Sequence, residues 1–137
     1  MRLTTDECWA RLRAADHGIL CTTNATGAID AVPTCLADVG ARIATPVDTV
    51  KPKSTTELGR MANLERDPAA TLLCEHWDPD NWSRLWWVRA RLVRALVDDV
   101  AAYEAALRAK YAHYESATFA AVLVFDVVHV VGWSGGD

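Results

Sequence analysis

The stretch Leu85-Trp-Trp-Val-Arg-Ala-Arg-Leu-Val-Arg-Ala-Leu-Val97 decides the fold, because its residues alternate between two chemically different faces. Every second residue from Trp86 to Leu92 is apolar, so an extended chain would bury this face in a hydrophobic core. The opposite face carries Trp87, Arg89 and Arg91, which suit a partner surface or a ligand better than a core. The stretch therefore predicts a long strand inside a sheet.

Shorter runs of apolar and β-branched residues occur on both sides of this strand, separated by turn residues. They predict five further strands, over residues 19–23, 29–36, 42–47, 71–77 and 121–133. Helical spacing of apolar residues predicts three helices, over residues 4–16, 55–66 and 100–112. Hairpin spacing without regular strand–helix alternation favours a mostly antiparallel sheet that is closed or nearly closed.

Local signals place some of these elements more closely. Thr4, followed three residues later by Glu7, forms a capping box that marks the start of the first helix. Pro33 has no backbone N–H, so we expect its strand to lie at a sheet edge or to be bulged there. The third helix is expected to bury the residues that its spacing places on one face, which are Ala101, Ala105 and Leu107.

A second informative stretch, from Thr45 to Pro68, joins an apolar strand to a cluster of cations and a capped helix. Ser54 with Glu57 three residues later is a capping box, so the helix should begin directly after Ser54. Lys51 and Lys53 lie immediately before it. Two cations beside free helical N–H groups suit a phosphate, because the helix dipole also favours an anion there.

Arg60 and Asn63 are spaced three apart in this predicted helix, so they lie on one face and extend the polar surface along a ligand. A competing interpretation is a solvated, Lys-rich turn before an ordinary surface helix. The residues alone leave both interpretations open.

Composition limits the function. The 137 residues are 51% hydrophobic, which supplies the apolar surface for the core of one domain over residues 1–137. A net charge of −4 argues against broad electrostatic binding to nucleic acid, which requires a basic face. No signal peptide and no apolar run long enough to span a bilayer is recognised, so we expect a soluble, cytoplasmic protein without a membrane partner.

The cysteines and histidines show no pattern of a metal site. Cys8, Cys21, Cys35 and Cys74 lie far apart without a C-x-x-C pair, so we expect reduced cysteines that fold without a disulfide. The four histidines also lack metal-ligand spacing. We therefore predict no metal site.

Several runs together carry a family resemblance, and they are Leu20-Cys-Thr-Thr23, Lys51-Pro-Lys-Ser54, Arg60-Met-Ala-Asn-Leu64, Asp67-Pro-Ala69 and Trp82-Ser-Arg-Leu-Trp-Trp-Val-Arg89. They resemble the pyridoxamine 5′-phosphate oxidase-like split β-barrel proteins, and within them the flavin/deazaflavin oxidoreductase B group, which binds coenzyme F420. The resemblance implies a mainly β fold of the FMN-binding split-barrel type, with six antiparallel strands and flanking helices. It also implies a homodimer with two coenzyme grooves between the subunits.

The resemblance assigns residues to the phosphate end of the coenzyme. Lys51, Lys53 and Arg60 match positions that line the coenzyme phosphate and its acidic tail, and the N–H groups after Ser54 complete this cradle. Asn63 matches as well, although an asparagine there could equally fix the helix against the sheet. This assignment agrees with the anion site inferred above from capping and charge.

Other residues are assigned to the ring and the interface. Thr45 and Pro46 resemble the strand segment against which the flavin-like ring lies. Trp87 and Arg89 project away from the core face and would meet the partner subunit or the ligand. For the tryptophans as a group, core and interface packing is favoured over stacking on the ring.

The implied function is an F420-dependent oxidoreductase that transfers a hydride between F420 and a small conjugated substrate. No catalytic side chain is assigned, because the coenzyme carries out hydride transfer itself. One alternative is an FMN-dependent pyridoxamine 5′-phosphate oxidase-like oxidoreductase. Another is a non-enzymatic protein that binds F420, FMN or haem, with His76 or His129 as a candidate haem ligand.

Overall fold

The computed structural model describes residues 1–48 and 55–136. The helices are α1 (Thr5–Ala14), α2 (Thr55–Arg66) and α3 (Ala101–Lys110). The strands are β1 (Gly18–Thr23), β2 (Ile29–Thr34), β3 (Ala37–Val39), β4 (Arg42–Asp48), β5 (Ala69–His76), β6 (Trp86–Ala95) and β7 (Phe119–Ser134). Two short 3₁₀ turns cover Trp82–Arg84 and Ala112–Tyr114.

All strands belong to one antiparallel sheet in the order β2-β1-β5-β6-β7-β4-β3. The prediction of a mainly β, antiparallel fold with flanking helices is confirmed. Two details are wrong. The sheet has seven strands instead of six, and in the described residues it is not closed, because β2 and β3 form opposite edges.

The additional strand arises because the predicted strand 29–36 is broken near its end. β2 ends at Thr34, and the N–H of Leu36 donates to the Tyr111 hydroxyl at 3.1 Å instead of to a neighbouring strand. The chain then turns, and β3 pairs with β4 on the other side of the sheet. Pro33 lies in β2, the edge strand, as its missing N–H predicts.

The predicted alternation in β6 is confirmed. Val88, Ala90 and Leu92 are buried in the main core, and β6 lies in the middle of the sheet between β5 and β7. The same core contains Leu20 of β1 and Ile43 of β4, which are separated by three strands in the sheet order. The sheet therefore curls until its inner face surrounds one core.

Helix α1 begins as predicted. The Thr4 N–H donates to Glu7 Oε1 at 3.1 Å, and the Glu7 N–H donates to Thr4 Oγ1 at 3.2 Å. These bonds satisfy two of the N–H groups that a helix start leaves without an intrahelical partner. The helix then buries Cys8 and Leu12 against the main core.

The predicted buried face of α3 is only partly correct. Leu107 is buried, but Ala101 and Ala105 are exposed, and Tyr103 is buried instead. Tyr103 and Leu107 are spaced four apart, so they share a face, and larger side chains bury more apolar surface than alanines do. The Tyr103 hydroxyl also accepts a hydrogen bond from Arg42 at 3.1 Å, which ties α3 to β4.

All four cysteines carry free thiols, as predicted. Cys8 and Cys74 are buried, and burial raises the pKa of Cys74 to about 11. In the described residues, no helix has the length and apolar character needed to cross a bilayer.

Replacing Gly132 with alanine should destabilise the fold. A Cβ there would lie 2.9 Å from the Trp87 carbonyl oxygen and 3.0 Å from Cys8 Sγ, where β7 passes under α1. Such overpacking costs roughly 1–3 kcal/mol. Gly59→Ala is a matched control, because a Cβ at Gly59 in α2 meets no described atom within 4 Å and should stabilise the helix by about 0.5–1 kcal/mol. Urea unfolding of both variants tests this, and a Gly132→Ala protein as stable as the parent would contradict it.

Candidate functional site

Helix α2 is fixed to the sheet by one buried amide. The Asn63 side-chain NH₂ donates to Thr22 Oγ1 at 3.0 Å and to Asp30 Oδ2 at 2.9 Å. The other carboxylate oxygen of Asp30 accepts from Asn24 at 3.1 Å. We call Asn63, Thr22 and Asp30 the amide clamp. It holds α2 against the inner faces of β1 and β2, so Asn63 has the structural role that the sequence left open.

Arg60 lies one turn before the amide clamp and is 7% exposed. It lines a groove of about 370 Å³ between α2 and the edge strand β2. We call this the edge groove, and it is lined by Thr22, Ile29, Asp30, Ala31, Val32, Gly59 and Arg60. The groove combines a guanidinium, a carboxylate and a hydroxyl with an apolar wall from β2. A polar molecule with a flat apolar part fits this chemistry.

Arg60 also lines a second depression, of about 260 Å³. We call it the corner cavity, and it is lined by His17, Pro33, Thr34, Cys35, Pro46, Arg60 and Tyr114. Its walls come from the end of β2 and from β4, two strands that are not hydrogen-bonded to each other. The cavity therefore lies where the curled sheet remains open, and Arg60 stands between it and the edge groove.

Thr45 and Pro46 lie on opposite faces of β4. Pro46 lines the corner cavity together with Arg60, so the structure brings these two predicted site residues together. Thr45 is fully buried on the inner face, and its hydroxyl has no hydrogen-bond partner among the described residues. A buried hydroxyl without a hydrogen bond carries a desolvation cost. Such hydroxyls are unusual away from functional sites.

Trp87 and Arg89 lie elsewhere, on the outer face of β6. The Arg89 guanidinium carbon is 5.7 Å from the Trp87 ring centroid. Trp87 pairs with Glu75 of β5 and with Trp133 of β7, and Trp133 is 41% exposed. Neither residue lines the edge groove or the corner cavity. The structure thus separates them from Arg60, Asn63 and Pro46.

The predicted residues Lys51, Lys53 and Ser54 lie outside the described residues. Helix α2 begins at Thr55, as the Ser54–Glu57 pattern predicts, so Lys51 and Lys53 precede it in the chain. Among the described residues, no group of histidines, cysteines and carboxylates is arranged to hold a metal ion.

Sequence reasoning missed Asp30 and Cys35 as lining residues. Asp30 had a readable signal, because it shares the inner face of its strand with Val32 and Thr34, and a carboxylate on the face that turns toward a core needs a partner. Cys35 had none, since it lines the corner cavity only because β2 stops one residue earlier.

Tyr111 and Lys110 fix the wall of the corner cavity from behind. The Tyr111 hydroxyl lies 2.9 Å from the Asp16 carbonyl oxygen and 3.1 Å from the Leu36 carbonyl oxygen, and Lys110 Nζ donates to the same Leu36 oxygen at 2.9 Å. Burial raises the pKa of Tyr111 to about 12 and lowers the pKa of Lys110. These contacts hold the segments that carry His17 and Cys35.

The fold recurs in solved structures of low sequence identity. A FAD-binding protein from Mesorhizobium loti shares 16% identity over 96% of this chain and 95% of its own, with a TM-score of 0.70. A haem-binding protein from Mycobacterium smegmatis shares 16% identity over 93% of this chain and 56% of its own, with a TM-score of 0.66. An F420 reductase shares 17% identity over 88% of this chain and 93% of its own, with a TM-score of 0.60.

These likenesses show the fold, which is shared with proteins that bind FAD, haem or F420. They agree with the split-barrel resemblance of the sequence and select no single cofactor. No protein-family model and no curated protein matches the chain.

Removing the Asn63 side chain should loosen α2. Asn63→Ala leaves Thr22 and Asp30 without their buried donor, which costs roughly 1–3 kcal/mol of the free energy of unfolding. A double-mutant cycle with Thr22→Val, measured by urea unfolding, isolates the pair, and we expect a coupling energy of about 0.5–3 kcal/mol. If the changes in the free energy of unfolding of the two single variants add up to that of the double variant, the amide clamp does not hold the helix.

Proposed function

We propose that the protein binds coenzyme F420 and transfers a hydride between it and a small conjugated substrate. The observation that carries this proposal is the position of Arg60. It is a nearly buried cation at the junction of two depressions, on the helix that follows Lys51 and Lys53 in the chain. The fold is shared with an F420 reductase, which supports the proposal without deciding it.

Arg60 would bind the phosphate end of the coenzyme, together with Lys51, Lys53 and the N–H groups that follow Ser54. A guanidinium forms two parallel hydrogen bonds to a phosphate, and the N-terminus of a helix adds further donors. The amide clamp contributes to phosphate binding indirectly, because it fixes the position of α2, and so of Arg60, relative to β2. Asn63 is accordingly a positioning residue in this proposal.

The edge groove and β4 would hold the ring. The groove offers a flat apolar wall at β2. Thr45, whose buried hydroxyl has no partner among residues 1–48 and 55–136, belongs to the strand against which the resemblance places the ring. When bound, F420 supplies the hydride chemistry itself, so these residues need only orient the ring and exclude water. The described residues fit a coenzyme with one anionic end and one flat end.

FMN or FAD is the second candidate, because a FAD-binding protein shares the fold and a flavin has the same two ends. F420 is favoured because its lactate and glutamate tail carries carboxylates that FMN lacks, and these suit a cluster of cations. The structure favours haem less. The two candidate axial ligands, His76 and His129, line neither the edge groove nor the corner cavity.

We further propose that the working unit is a homodimer. Large apolar side chains remain exposed on the outer face of the sheet, where Ile29 is 71%, Val128 65% and Trp133 41% exposed. Trp87 and Arg89 lie on the same face, which agrees with their predicted place at an interface. A second copy covering this face would remove the exposed apolar surface from water.

Arg60→Ala should weaken F420 binding by about ten- to a hundredfold, because a hydrogen bond to a charged group contributes roughly 1.5–3 kcal/mol. Arg66→Ala is the matched control, since Arg66 belongs to the same helix but is exposed at its other end. Fluorescence titration of both variants, with circular dichroism to check folding, measures the effect. If folded Arg60→Ala binds F420 as tightly as the parent, the proposed phosphate site is wrong.

Val128→Glu should convert the dimer to monomer, because it buries a charge in an apolar interface. Ala105→Glu on the exposed side of α3 is the control and should leave the dimer intact. Sedimentation velocity at micromolar concentration distinguishes the two states. A parent protein that sediments only as a 15.0 kDa monomer would exclude the homodimer.

A further inference from the structure

The corner cavity combines Arg60, which the proposed coenzyme site uses, with His17, Cys35 and Tyr114, which it does not use. Among its described lining residues there is one guanidinium, from Arg60, and one imidazole, from His17, but no carboxylate. The edge groove differs, because Asp30 lines it together with Arg60. The corner cavity is thus the more electropositive of the two depressions that meet at Arg60.

Two further observations add to this character. Lys110 Nζ donates to the carbonyl oxygen of Leu36, the residue after Cys35, at 2.9 Å, so a second cation stands behind the cavity wall. Two neighbouring carboxylates already have partners: Asp38 pairs with Arg13 at 3.0 Å, and Asp16, which is 90% exposed to solvent, pairs with His17 at 2.6 Å. Water screens such an exposed charge more strongly than the nearly buried charge of Arg60.

Beside Thr34 and Cys35, three flat rings line the rest of the cavity. Pro33 and Pro46 contribute rings from two strands, and the aromatic ring of Tyr114, which is buried, contributes a third. Tyr114 is held in place by edge-to-face contacts with Tyr111 and Phe119, at ring-centroid distances of 5.6 Å and 5.1 Å. Rigid flat walls suit a planar ligand, because little side-chain entropy is lost on binding.

We propose that the corner cavity is the substrate side of the site and takes a small planar molecule bearing a carboxylate. This inference rests on the proposed function, because the substrate must lie next to the coenzyme. Arg60 permits this arrangement, since a guanidinium has five N–H donors and lines both depressions. The carboxylate would bind Arg60 and His17, and the flat body would lie between the prolines and Tyr114.

Cys35 provides a reporter inside the cavity. Its thiol is partly exposed and can be alkylated by iodoacetamide, and peptide mass spectrometry measures the rate at each cysteine separately. Cys21 is an internal control in the same molecules, because it is also partly exposed but does not line the corner cavity. The experiment uses the full chain without coenzyme.

trans-Cinnamate is the probe, and cinnamamide, which has the same shape without the charge, is its matched control. At a cinnamate concentration tenfold above its Kd, alkylation of Cys35 should slow by about tenfold while that of Cys21 is unchanged. Cinnamamide should require a concentration about tenfold higher for the same protection. Arg60→Gln should remove the difference between the two probes.

The parent protein alone can overturn the proposal, so the test does not depend on whether Arg60→Gln folds. The proposal is wrong if cinnamamide protects Cys35 as well as cinnamate does, or if cinnamate does not protect Cys35. F420 titration of the same preparation separates this proposal from the previous one. If F420 binds but cinnamate does not protect Cys35, the substrate class is wrong and the coenzyme proposal stands. If cinnamate protects Cys35 but F420 does not bind, the cavity is an anion site and its assignment as the substrate side is overturned.

Discussion

Burial of one face of β6 is the constraint on which the rest of the structure depends. Val88, Ala90 and Leu92 lie in the middle of the sheet, and the residues that pair with them on β5 and β7 must face the same core. A one-residue slip would turn this face to solvent, so the register of the three central strands is strongly specified. Because the sheet curls around this core, the edge strand β2 and the strand β4 approach each other without pairing.

The candidate site exists at this opening because α2 is held against β1 and β2. The Asn63 amide donates to the buried Thr22 hydroxyl, which would otherwise have no donor from α2, and to the Asp30 carboxylate of the edge strand. By anchoring α2, Asn63 also places Arg60, which lies one helical turn earlier, between the edge groove and the corner cavity. The structural role of Asn63 and the proposed binding role of Arg60 are therefore two consequences of one helix placement.

Features encoded by local pattern could be predicted from the sequence. The alternation in β6 and the Thr4–Glu7 capping box depend on neighbours within a few residues, and both are confirmed. The break after Thr34 could not be predicted, because Leu36 bonds to the hydroxyl of Tyr111, 75 residues later in the chain. The buried side of α3 was missed for a similar reason, since contact with Arg42 helps to select Tyr103.

The candidate site was predictable to the extent that its residues share a helix or a strand. The spacing of Arg60 and Asn63 indicated one polar face, and both lie at the sheet in the structure. The meeting of Arg60 with Pro46 and Cys35 depends on how the sheet curls, which no local pattern encodes. The alternation in β6 placed Trp87 and Arg89 away from the core, and the structure adds that they are also away from Arg60.

Titration of the purified protein with F420 and with FMN, each followed by ligand fluorescence at low salt, tests the central claim most directly. The account predicts saturable binding of F420, and weaker binding of FMN because FMN lacks the acidic tail. Tighter binding of FMN than of F420, or no saturable binding of F420, would contradict it.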